Sequence, residues 1–258
     1  MRTANNLKFF LVAALAAAYF FPALPLAALE ESKVIVKDFE WKIYATAHFD
    51  IHYYPGSEPW LTYASGVLEE AYRRETAELN PGLAKRIPFF LYGTINDMQQ
   101  SGIADVSDGV GGLTEPFKDR FMVWSDGSKG WLKNVIEHEL AHEMQFSVLV
   151  DGFWKSARIL KTYVYPLWMM EGIAEYETGN SDLALERMYV RDAALSGSML
   201  RLERLNQFAH LKPHQTTLAY KTGAQAIRFL AGQYGRDKPA RMLELFKSRY
   251  DVSAVLEP

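Results

Sequence analysis

Two segments of one spacing constrain this chain more than anything else in it. His138-Glu139-Leu140-Ala141-His142 stands inside a run with helical periodicity, and Glu171-Gly172-Ile173-Ala174-Glu175 follows in a second such run. Residues four apart on a helix share a face. Two imidazoles so placed can hold one zinc ion in tetrahedral geometry, and Glu139, one residue round, then stands beside the metal rather than on it. There it can take a proton from the water the metal activates and pass it to a leaving group. Leu132, Ile136, Leu140 and Met144 fall on another face, suited to anchoring the helix in a core.

Two histidines alone hold zinc poorly, so a third ligand is needed. Glu171 supplies it, and Glu175, one turn on, is placed to hydrogen-bond a ligand imidazole. Pro166 suits the start of that helix. The bland alternative is a pair of solvated polar helix faces. It fits poorly with Trp168, Met169, Met170, Ile173, Ala174 and Tyr176, which surround the carboxylates with apolar bulk. Buried carboxylates need a partner, and a metal provides one.

The rest of the chain frames these helices. Val34-Ile35-Val36, Trp41 to Tyr44, Phe49 to Tyr53 and Ile87 to Tyr92 read as strands, with an amphipathic helix over 60–79 between the last two. Gly109 to Pro116 and Arg120 to Trp124 read as a hairpin with one strand at a sheet edge. Ser125 to Ser128 is a loop ending in a helix cap. Helices follow over 130–149, 166–177, 182–196, 216–234 and 237–249. Strands first and helices second predict an α+β domain, without internal repeats.

The amino terminus carries a different signal. Arg2 and Lys8 precede an uncharged apolar run from Phe9 to Phe21, Pro22 and Pro25 break it, and Ala27-Ala28 offers small residues ahead of Glu30. This is the layout of a secretory signal peptide over residues 1–28. An uncleaved membrane anchor is the alternative, and either way residues 29–258 lie outside the cytoplasm. The chain has no cysteine, so disulfides, thiol nucleophiles and Cys-held zinc are excluded. Its formal net charge of −3, with no basic stripe and no phosphate-binding glycine loop, argues against a nucleic-acid partner.

His-Glu-x-x-His followed by Glu-Gly-x-Ala-Glu-Tyr resembles the gluzincin metallopeptidases, and Trp168 to Ala174 is similar to the third-ligand helix of their aminopeptidase branch. More closely, the chain resembles the peptidase-MA-like domain of bacterial envelope proteins that often precedes a TolB-type β-propeller. The matching stretches are His48 to Pro55, Gly109 to Pro116, the two helices above, and Ala219 to Gly223. The resemblance implies a zincin-like fold: a twisted mixed sheet over the zinc helix, a helical second half, and a cleft between them. It implies Zn2+ held by His138, His142 and Glu171, with Glu139 as general base and acid. It also implies that the strand near Gly111 to Glu115 pairs with an extended peptide or protein substrate. A β-propeller module or other envelope proteins are the expected associates, although the sequence ends at Pro258 with no propeller following.

An oxyanion donor is expected on a later helix, and Tyr220 is the choice, with His210 and His214 as alternatives. His48 and His52 are expected to be structural, and Arg120 to be solvated or salt-bridged. Trp154, Tyr163, Tyr165 and Trp168 are aromatic packing or pocket wall. The predicted activity is hydrolysis of a peptide bond by zinc-activated water. The rivals are a zinc-binding scaffold without turnover, and an enzyme acting on a cell-wall peptide crosslink.

Overall fold

A computed structural model describes residues 37–248, apart from 80, 82, 84, 103–105, 107–108, 116–117, 150–164 and 180–182. The expected leader, the Val34 to Val36 strand, Trp154 and Tyr163 lie outside the described residues.

Among the described residues, five strands form one mixed sheet in the order β1-β2-β3-β5-β4. They are β1 (Lys42–Ala45), β2 (Phe49–Tyr53), β3 (Ile87–Tyr92), β4 (Gly112–Glu115) and β5 (Arg120–Trp124). β2 runs parallel to β3 and β3 to β5, while β1 and β4 pair antiparallel at the edges. The expected hairpin is therefore present, and its first strand is the edge strand.

Period-two alternation divides the sheet into two faces. Phe49, Ile51, Phe89, Leu91, Phe121 and Val123 are fully or almost fully buried in the main core. There they meet Ala64 and Leu68 of α1 (Leu61–Leu79) and Leu132, Ile136 and Leu140 of α3 (Lys129–Leu149). The intervening residues turn to a smaller cluster, where Tyr92 and Met122 pack with Tyr54 and Met98. Met98 belongs to α2 (Ile95–Gln100), a short helix not read from the sequence. Its start is marked all the same, since the Thr94 hydroxyl accepts the Asp97 amide at 3.1 Å.

The second half is helical: α4 (Leu167–Glu177), α5 (Leu183–Ser196), α6 (Pro213–Tyr234) and α7 (Lys238–Ser248). The helix expected from 216 begins three residues earlier, where Pro213 enters the first turn and the Gln215 side chain accepts the Lys212 amide at 3.0 Å. The result is a zincin-like α+β fold. No described helix is long and apolar enough to cross a membrane.

Candidate functional site

α3 places His138, Glu139 and His142 at the mouth of a cleft of about 470 Å3. Its start is fixed by Ser128, whose hydroxyl accepts the Trp131 amide at 3.3 Å. Its apolar face is fixed by Leu132, Ile136, Leu140 and Met144, all fully buried. α4 brings Glu171 to the same point. The three donor atoms form a nearly equilateral triangle: His138 Nε2 to His142 Nε2 is 3.2 Å, His138 Nε2 to Glu171 Oε2 is 3.2 Å, and His142 Nε2 to Glu171 Oε2 is 3.3 Å. Ligands about 2.0–2.1 Å from a tetrahedral zinc stand about 3.3–3.4 Å apart. The donor set and its spacing thus fit a zinc-sized cation, and these three residues form the one group found among the described residues that could hold a metal ion.

The outer nitrogens of both imidazoles face acceptors, which directs Nε2 inward. His142 Nδ1 faces the Gln145 side-chain oxygen at 3.4 Å, while the Gln145 amide donates to the Met170 carbonyl at 2.9 Å. Gln145 therefore ties the first ligand helix to the second. His138 Nδ1 faces Glu175 Oε1 at 3.8 Å, an ion-pair separation rather than the hydrogen bond expected from sequence. Glu175 is held instead by Lys221, whose ammonium donates to Oε2 at 2.7 Å. Neither Gln145 nor Lys221 was singled out from the sequence. Gln145 was findable one turn beyond His142; Lys221 had only its adjacency to Tyr220.

Glycine makes the encounter of α4 and α6 close enough for these contacts. A Cβ on Gly223 would lie 2.4 Å from the Trp168 carbonyl oxygen, and one on Gly172 would lie 2.6 Å from the Gly223 carbonyl. Side chains at either position would part the helices and draw Tyr220 and Lys221 away from Glu171 and Glu175.

Burial disfavours a charged His142, but the Glu171 carboxylate outweighs it and lifts the imidazole pKa to about 9. Glu171 is likewise driven up by burial, yet the two histidines hold it well below the usual carboxylate range. The site thus concentrates negative potential where a cation would sit. Tyr220 also lines the cleft, its ring 6.3 Å from that of His138. Burial and then the Glu171, Glu139 and Glu175 carboxylates push its phenol far up, so it remains a proton donor.

The edge strand forms the opposite wall through Gly112, Leu113 and Thr114. The Thr114 hydroxyl lies 2.7 Å from Glu139 Oε2 and 2.9 Å from the Glu139 carbonyl. Gly112 permits this approach, because a Cβ there would lie 2.6 Å from Glu139 Cγ. Thr114 was not foreseen as a partner of Glu139.

The remaining candidates separate. His48 bonds Glu69 and stacks on Tyr72, and His52 stacks on Phe90, both away from the cleft. Arg120 pairs with Glu115. His210 and His214 are exposed and do not line the cleft. Tyr165 lines it, whereas Trp168 lines a different cavity.

A zincin-like sheet over one helix, two histidines and a glutamate from two helices, and a strand beside them define a metallopeptidase-like domain. The sequence profile of the peptidase MA superfamily matches residues 70–257, and the chain belongs to that superfamily. No curated protein sequence matches it.

Proposed function

We propose that the protein is a zinc-dependent peptidase that cleaves peptide bonds with Glu139 as general base and acid. The observation that carries this reading is the donor triangle of His138, His142 and Glu171 with Glu139 beside it, in a cleft bounded by the edge strand β4.

His138, His142 and Glu171 would hold a zinc ion, which would supply Lewis acidity to a water and to the scissile carbonyl. β4, the edge strand among the described residues, offers its outer edge to an extended peptide, so that main-chain hydrogen bonds lay the substrate along the cleft. Glu139, fixed in one rotamer by Thr114, accepts the proton of the attacking water and returns it to the departing amine. The Tyr220 phenol donates a hydrogen bond to the oxyanion that develops on the carbonyl carbon's oxygen. His142 is oriented by Gln145, and His138 by the field of Glu175 and Lys221.

We further read the protein as exported, with a peptide or protein as substrate. The charged start and the apolar run from Phe9 to Phe21 support export.

Glu139→Gln tests the reading. The variant should bind zinc with unchanged stoichiometry and lose cleavage of an unfolded general substrate such as reduced casein. Cleavage at the wild-type rate would remove Glu139 as the base, and no chelator-sensitive cleavage by the wild type would favour a scaffold.

A further inference from the structure

A second cavity, of about 750 Å3, opens among α5, α6 and α7, and none of its described lining residues lines the metal cleft. Its size falls within the roughly 300–1,000 Å3 of sites that take one small molecule. Its wall changes character from inside to outside. Trp168 is 3% exposed, Ile227 0% and Met242 4%, whereas Phe229 is 65% and Tyr234 62% exposed. Among the described residues the inner wall is mainly apolar: the Gln225 amide is tied to Glu186, and the Trp168 indole nitrogen and the Thr222 hydroxyl lie there shielded from solvent and without a hydrogen-bond partner.

The charges among the described lining residues are both positive. Lys238 and Arg241 stand one turn apart at the start of α7, where the helix dipole adds to them. Their side chains are 41% and 60% exposed, so they belong to the mouth. Each meets one exposed acid, Asp237 at 3.2 Å and Glu244 at 2.9 Å. Surface pairs of this kind are weakly held and exchange readily for a better-placed anion. A largely apolar interior with a cationic mouth matches an amphiphile bearing one alkyl chain and one carboxylate, since an arginine fork receives a carboxylate through two parallel bonds.

We propose that this cavity binds a long-chain fatty acid. The alkyl chain runs inward beside Ile227, Met242 and Trp168, and the carboxylate rests between Lys238 and Arg241. The proposal does not rest on the peptidase reading, since the two sites share none of the described lining residues.

The test is fluorescence quenching of the full-length protein by bromine-labelled stearic acid below its aggregation threshold, with bromine-labelled stearyl alcohol beside it. The expected result is saturable quenching at one acid per chain, absent in Trp168→Phe. Lys238→Glu with Arg241→Glu should weaken the acid by about tenfold or more and leave the alcohol unchanged. Ala226→Phe, which fills the cavity, should abolish both; should that variant fail to fold, the charge-reversal pair still decides. Equal binding of acid and alcohol, or quenching that survives in Trp168→Phe, would overturn the proposal. So would a concentration-dependent dimer, seen by light scattering, that Ala226→Phe disperses, because a second copy would then occupy the groove.

Discussion

Lys221 reaches the candidate ligand set through Glu175 without belonging to it. It is 8% exposed, and its ammonium bonds Glu175, whose other oxygen faces His138. Removing the cation leaves a half-buried carboxylate without its partner, free to turn toward the imidazole or toward solvent. Lys221→Met should therefore weaken zinc affinity by about 10–100-fold, the range for groups that orient ligands. Lys221→Arg should restore part of it, and competition with a chelating dye measures both. Unchanged affinity in Lys221→Met would mean that Glu175 does not orient His138. His138, His142, Glu171 and Glu139 were legible from the sequence because a helix converts spacing into direction. Thr114 and Lys221 were not, since each reaches its carboxylate across elements distant in sequence.

Among the elements, the crossing of α4 and α6 does most to set the site, and two glycines permit it. Gly223→Ala would drive a methyl group to 2.4 Å from the Trp168 carbonyl oxygen. The helices must then separate, at a cost of about 1–3 kcal/mol, as for other overpacked contacts. Gly232→Ala on the same helix meets nothing within 4 Å, and should stabilise by about 0.5–1 kcal/mol through helix propensity alone. Denaturant unfolding of the two variants checks the contrast; equal effects would mean the crossing is not tight. Periodicity predicted both helices, but not that Gly172 and Gly223 face each other. The short helix α2 escaped because it spans fewer than two turns, too few for an apolar stripe to repeat. β4 and β5 were readable from their turn-rich flanks and β-branched and aromatic content.

At the scale of the folded domain, a largely buried charge cluster joins three of the described helices. Arg74 of α1 donates to Glu137 of α3 at 2.9 Å and to the Glu177 carbonyl of α4 at 2.8 Å, with Glu75 beside it. Burial, reinforced by Glu78 and opposed by Arg74, raises the Glu177 pKa from its ordinary 4.5 to about 8. The folded chain thus keeps this proton over a range in which the unfolded chain has lost it. Stability from this group is full below about pH 4.5, falls as pH rises, and is lost above about pH 8. Glu177→Gln should flatten that decline, with a higher melting temperature than wild type near pH 8 and a similar one near pH 4.5; parallel melting curves at both pH values would contradict it. The α+β order of strands and helices was visible in sequence, whereas this cluster was not, because its charges look like ordinary surface residues until three helices bury them. The most direct test of the central claim is elemental analysis of the purified protein beside Glu171→Ala. One zinc per chain, lost in the variant while the fold persists, is the predicted result; a folded wild-type protein that takes up no zinc would contradict it.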